Sequence, residues 1–382
     1  MLFDMALYLS LTVFTIGVLY RLSMWFIRHV GTGDRAVGSS ARVSSAAKSI
    51  ARSFFSISVL KIFRSVIVDV ILQWRITRDK EDRLLWVMHI FIFAGFTVLL
   101  LMHALGSVLT RSLFPDYQST LNPFLFLRNL FGILVFTGLV LAVVRRARLR
   151  KDRVKTTGMD YTVIVLFVVI MVSGFLLEAT KITSHSIYRQ MVEDYATVAN
   201  PEERKALEAY WVSNFGLVSP AVRKPFSTEL LAKGKETHEV GCASCHSEPH
   251  AAFISYPLSR VMKPVALGMD EAGFSNVLWI IHFLACFVGL AYLPFSKMFH
   301  IIATPVSLIV ASAGGQQEDP AALATRKVIE LDGCTHGGTC HLDCPVRQKR
   351  QERINQTDPF GPEVDFIGEK SWKELGCRSF QG

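Results

Sequence analysis

Five apolar stretches, near residues 6–27, 84–108, 124–144, 161–180 and 276–296, decide most of what this chain can become. Crossing a hydrocarbon core takes roughly 20 apolar residues of helix, and each stretch approaches or exceeds that. The 124–144 stretch qualifies although it carries Arg128, because a residue near the end of a span can extend its charge to the interface. With 27 Phe and 51% apolar side chains in 382 residues, one soluble core of this size does not absorb the surface on offer. We therefore expect an all-α membrane protein with five transmembrane helices. The first stretch has no basic region before it and no small-residue cleavage site after it, so it reads as an anchor. Residues 54–73 are apolar too, but Lys61, Arg64 and Asp69 interrupt them, which suits an amphipathic helix lying along the membrane surface.

The basic residues set the expected orientation. Residues 28–83 hold 11 Lys+Arg, and RRARLRKDRVK (145–155) packs seven into one short loop, so both loops are expected in the cytoplasm. The N-terminus and the long 181–275 loop then face the periplasm, and the chain after about 303 is cytoplasmic, giving a multi-pass protein of the inner membrane. The formal charge of +9 is largely this loop bias and implies no nucleic-acid partner. The expected divisions are 1–180 (helices 1–4), 181–275 (periplasmic loop), 276–310 (helix 5) and 311–382 (cytoplasmic tail).

The periplasmic loop contains GCASCHSEPH, 241–250. Cys242, Cys245 and His246 match the Cys-x-x-Cys-His signature, in which two thiols add to the haem vinyls and the adjacent imidazole becomes an axial ligand. A disulfide hairpin or half of a zinc site has the same spacing. The expected location favours haem c, because bacterial covalent attachment occurs outside the cytoplasm. For the sixth ligand His238, His250, Met262 and Met269 are near in sequence; a methionine is the expectation, and a five-coordinate iron stays open. The segment 186–235, rich in charge, is expected to form helices over the outer haem face.

Four histidines fall in or at the ends of the spans. His89 and His103 lie in the second, 14 residues apart; His282 and His300 lie on or at the end of the fifth, 18 apart. These separations are about 3.9 and 5.0 helical turns, so each pair projects from one face if its helix is continuous, and rises of about 21 and 27 Å put the members at matching depths. The antiparallel spans pair His89 with His300 on the inner side and His103 with His282 on the outer. Two level imidazole pairs are what two bis-histidine haems b need. The plainer reading is isolated polar residues bonded to backbone, or a proton path.

Five spans, an outward N-terminus and this histidine pattern resemble the gamma subunit of respiratory nitrate reductase, a dihaem b quinol oxidase, over roughly residues 1–310. That subunit has no 95-residue loop, no haem c site and no cysteine-bearing tail. These departures shift the likeness toward membrane cytochrome b subunits of sulfite-reduction-associated and other redox complexes of sulfur metabolism. Such a likeness implies a cytoplasmic iron–sulfur partner resembling the catalytic subunit of heterodisulfide reductase, a periplasmic multihaem cytochrome c, and menaquinone or ubiquinone.

After a linker at 311–322, VIELDGCTHGGTCHLDCPVRQ is similar to a ferredoxin cysteine run, with Cys334, Cys340, Cys344 and Pro345 in place but Gly337 in the second cysteine's slot. A three-iron cluster, a cluster completed by Cys377, a clusterless docking tail, and a mixed zinc site with His336 and His341 all remain open. Cys286 reads as packing, and His29 and His185 as solvated. The parts line up as an electron wire of one haem c, two haems b and an iron–sulfur partner, with quinone oxidoreductase activity expected only within a complex. The rival classes are a proton-coupled transporter, a haem sensor, and the cytochrome b subunit of a hydrogenase or formate dehydrogenase.

Overall fold

The computed structural model describes residues 1–30, 37–54, 58–78, 83–148, 157–196, 198, 200–313 and 319–333. The chain is all-helical, 82% helix, with no strand among the described residues. Five helices are long and apolar enough to cross a membrane: Leu2–Ile27, Leu84–Met102, Phe124–Arg148, Gly158–Thr183 and Phe274–Phe295. The composition requires this, since in lipid a helix satisfies its backbone polar groups within its own segment. Helices His185–Tyr195, Pro201–Asn214 and Thr228–Gly241 occupy the charged segment expected to be helical.

Two of the spans stop sooner than their hydropathy does. The second helix ends at Met102, although the His103 amide still donates to the Leu99 carbonyl at 2.9 Å. The fifth gives way to a 3-10 turn, Leu293–Phe295, with Pro294 inside it. Extended backbone at Ser296 follows, then a second turn, Lys297–Phe299, and only at His300 does a new helix, His300–Ala313, begin. Proline supplies no amide and its ring crowds the preceding turn. The expected count of five unbroken turns from His282 to His300 therefore does not hold.

The chain divides into two compact units. The first comprises Met1–Trp86, Val143–Val163 and Val288–Gly382. Its core packs Trp25, Phe299, Ala303, Val328 and Ile329, so the end of the first span meets a helix, Pro320–Asp332, that begins inside the expected linker. Arg42 is fully buried there. Its guanidinium donates to the carbonyls of Arg28 (2.6 Å), Trp25 (2.7 Å) and Ala324 (3.1 Å) and to the Thr325 hydroxyl (3.2 Å), placing positive charge on the carbonyl end of the first helix. Trp25 Nε1 and Arg21 both donate to Asp332, at 2.8 and 3.2 Å. In the amphipathic segment, Val59, Leu60, Phe63, Ile67 and Ile71 are exposed.

The second unit comprises Val87–Ala142 and Ile164–Phe287. Its long helices approach closely at small residues: a Cβ on Gly138 would lie 3.0 Å from the Met88 carbonyl, and one on Gly95 would lie 2.8 Å from that of Phe131. Between the fourth and fifth long helices, Pro201–Asn214 and Thr228–Gly241 cross so tightly that a Cβ on Gly234 would meet the Ala206 carbonyl oxygen at 2.1 Å. Tyr188, Val192, Val198, Leu207, Leu217 and Cys242 form the apolar core beneath.

Candidate functional site

The Cys242–His246 turn grows from the C-terminus of helix Thr228–Gly241. The amides of Cys242 and Ala243 both donate to the His238 carbonyl, at 2.8 and 2.9 Å, which ends the helix; the Cys245 and His246 amides then turn back to the Cys242 carbonyl at 3.1 and 2.9 Å. The turn is pinned to the loop between the second and third long helices. Thr120 donates its hydroxyl to the Cys245 carbonyl at 2.5 Å, the Ser247 amide donates to the Thr120 carbonyl at 3.1 Å, and the Asn122 amide donates to the Ser247 hydroxyl at 3.1 Å. Thr120, Asn122 and Ser247 carry no sequence signal, because these partners are 125 residues apart.

Cys242 is buried and Cys245 half-buried, and both are free thiols. Burial, with the neighbouring Cys245, pushes the Cys242 thiol up to about 11, so it is protonated at neutral pH. Burial first, and His238 second, lower the pKa of His246. A neutral imidazole is the form that binds iron.

Aromatic rings surround the turn. His238 is 6% exposed, with ring centroids of Phe215 at 4.8 Å, Tyr210 at 5.4 Å and Trp211 at 5.8 Å, and Trp211 also lies 5.4 Å from His246. Two nitrogens here, His238 Nδ1 and Trp211 Nε1, are buried without a hydrogen-bond partner. Leaving such a group unsatisfied costs about 1–3 kcal/mol, so this arrangement calls for a polar group that ordinary packing does not provide. Free thiols, a neutral imidazole and two unpaired nitrogens in an aromatic nest fit a covalently held haem. Zinc needs more ligands, and among the described residues no three His, Cys, Asp or Glu side chains gather to hold a metal ion.

Among the other histidines, His282 is oriented through its ring Nδ1, which lies 3.1 Å from the Ile170 carbonyl and 3.1 Å from the Ser173 hydroxyl. Nε2 then carries the lone pair; the Cys286 thiol, read from sequence as packing alone, lies 4.0 Å from it. A Cβ on Gly174 would stand 3.1 Å from His282 Cε1, so only glycine leaves this ring its place. His103 and His300 repeat the pattern, with Nδ1 at 3.1 Å from the Leu99 carbonyl and 2.7 Å from the Lys297 carbonyl. A backbone carbonyl on one ring nitrogen is the arrangement that fixes a metal-binding histidine's tautomer, so these residues fit haem b ligation. His103 and His282 belong to the second unit with His89, and His300 belongs to the first.

A polar clamp secures this region. Glu178 pairs with Arg128 and accepts from Asn129 Nδ2 at 2.9 Å and from the Ser255 hydroxyl at 2.7 Å; Asn129 Oδ1 in turn accepts the amides of Ile254 and Ser255 at 3.2 and 3.1 Å. Arg128, expected to reach the interface, is instead paired at 17% side-chain exposure. His185, expected to be solvated, places Nε2 2.9 Å from Glu208, which also accepts from Ser219; their folded proximity overrides the polar look of the segment. His29 is exposed, as expected. Cys334, Cys340, Cys344 and Cys377, with His336 and His341, lie outside the described residues.

The chain is similar to a membrane component of heterodisulfide reductase. It is 30% identical over 132 residues to a subunit of dihydromethanophenazine:CoB–CoM heterodisulfide reductase from Methanosarcina thermophila, a match covering 31% of this chain and 47% of that protein. The corresponding protein of Methanosarcina barkeri is 28% identical over 130 residues, covering 32% and 48%. The chain thus spans about half the length of the curated relatives it matches. No family model and no solved structure matches it. The likeness falls on the heterodisulfide-reductase side of the expected resemblance, and the nitrate reductase gamma family is not shown. Five long apolar helices and a membrane-subunit relative together make this a multi-pass membrane protein.

Proposed function

We propose that the chain is the membrane electron-transfer subunit of a heterodisulfide-reductase-like redox complex. In this reading His103 and His282 hold an outer haem b, and His89 and His300 an inner one, paired as the sequence pattern pairs them. Cys242 and Cys245 attach a haem c, with His246 as an axial ligand. Iron in these groups supplies one-electron transfer, and the protein's part is to hold the rings, fix their tautomers and set the polarity around them.

The observation that carries the reading is the Cys242–His246 turn. It is hydrogen-bonded to the loop that leads into the third long helix, and its His246 shares Trp211 with an unpartnered buried imidazole. The carbonyl-anchored rings of His103, His282 and His300 support the b sites. The N-terminus and residues 181–275 face the periplasm and a multihaem cytochrome c. The tail faces the cytoplasm and an iron–sulfur subunit, with a quinone as the exchanging pool within the membrane.

A pyridine haemochrome spectrum of the purified chain, taken before and after acid–acetone extraction, tests this. Two extractable haems b and one retained haem c are expected. A colourless protein would overturn the reading in favour of a transporter.

A further inference from the structure

We infer that His238 is the second axial ligand of the haem attached at Cys242, Cys245 and His246, in place of the methionine that the sequence favours. The inference rests on the reading of that turn as a haem attachment site and goes beyond it by naming the opposite ligand.

His238 lies one helical turn before Cys242. Its carbonyl accepts the Cys242 and Ala243 amides, so its backbone is tied directly to the attachment turn. Its side chain is 94% buried, from an exposure of 6%, and its Nδ1 has no partner. A histidine is rarely left buried with a nitrogen unused, and this one stands against the same indole as His246. Trp211 Nε1, a donor, is buried and unpaired at the same place, as if the nest were completed by a group with polar atoms of its own.

The competing ligands are committed elsewhere or open to solvent. His250 is 61% exposed at its side chain and sits 3.6 Å from Glu248. Met269 lines a small cavity with Thr180, Thr183, Ser184, Ala266, Asp270 and Ser275. Met262 lies at the end of a separate helix, Ser255–Met262.

Two imidazoles give a lower reduction potential than imidazole with a thioether, because methionine ligation raises it. The chemistry therefore points to a low-potential electron partner on that side of the protein, such as a cytochrome whose haems are also ligated by two histidines.

The test uses the full chain in detergent, with covalent haem counted by haem stain on denaturing gels and ligation read by near-infrared magnetic circular dichroism and electron paramagnetic resonance. In the wild type the expected spectrum contains bis-imidazole signals only, with no thioether-to-iron band. His238→Ala should retain stained haem but turn the covalent haem alone high-spin, and added imidazole should return it to low spin. His238→Met keeps the nest filled and carries the test if the alanine variant fails to mature; it should create a thioether band and raise that haem's potential. A wild-type thioether band removed by Met262→Leu or Met269→Leu would overturn the assignment, as would low-spin covalent haem in His238→Ala without added imidazole. Absence of any stained haem in the wild type would overturn the attachment reading itself, an outcome distinct from wrong ligation.

Discussion

The Nδ1 of His282 lies 3.1 Å from the carbonyl oxygen of Ile170, one helix away, and this contact aims the other ring nitrogen of His282 away from the backbone. The carbonyl comes from the Gly158–Thr183 helix, three residues before the Ser173 hydroxyl that shares the same nitrogen. The ring's tautomer is thus set by the neighbouring helix. His282→Ala should remove one extractable haem b and spare the other, and His103→Ala should remove that same one. Loss of both haems or of neither, counted by haemochrome spectra, would sink the pairing. Gly174→Val should mimic the loss, since its side chain would occupy the place of the imidazole edge.

Glu178 neutralises Arg128 and anchors the Ser255 hydroxyl and Asn129 together. Removing one member of a buried pair leaves the other charge uncompensated, at a cost of about 3–5 kcal/mol. Glu178→Ala should speed proteolysis within residues 181–275 and lower the thermal midpoint. Arg128→Ala combined with Glu178→Ala should recover part of that loss. A double variant as labile as the sum of the singles would show that the two do not act as a pair.

Helices Pro201–Asn214 and Thr228–Gly241 meet backbone to side at Gly234, where the obstacle is a carbonyl oxygen that cannot rotate away. Gly234→Ala improves intrinsic helix propensity by roughly 1 kcal/mol, yet it should destabilise the segment, because overpacking of this kind costs about 1–3 kcal/mol or more. The check is a denaturation midpoint, with Gly268→Ala as the control, since a Cβ there meets nothing within 4 Å.

Asp270 accepts from the Ser184 hydroxyl (2.5 Å), the Ser186 amide (2.8 Å) and the Ser186 hydroxyl (2.7 Å), holding the first turn of helix His185–Tyr195. Burial alone would raise its pKa, but these donors outweigh it and the carboxyl is held below the ordinary value of 3.8. A depressed carboxylate stabilises the fold above its unfolded pKa and loses that contribution as pH falls through the folded one. Protection of the Ile187–Val192 amides from hydrogen exchange should therefore fall below about pH 4, near the unfolded value. Asp270→Asn should be less protected at neutral pH and lose this pH dependence.

What the sequence determined by itself was whatever depends on local composition. Five runs of apolar residues specify five long helices because a helix in lipid closes its own hydrogen bonds, and Cys242, Cys245 and His246 are legible because their spacing is itself the motif. Counting helical turns from His282 to His300 failed for a reason also present in the sequence, Pro294, whose missing amide ends the run. What only the tertiary structure decided involves partners far apart along the chain. The Thr120 hydroxyl on Cys245, the Glu178 clamp on residue 255, the pairing of His185 with Glu208 and the sealing of His238 among Tyr210, Trp211 and Phe215 follow no periodicity. A buried nitrogen with nothing to bond can be recognised only after folding has removed the water around it, and for that reason the ligand assigned to His238 was not visible in the sequence.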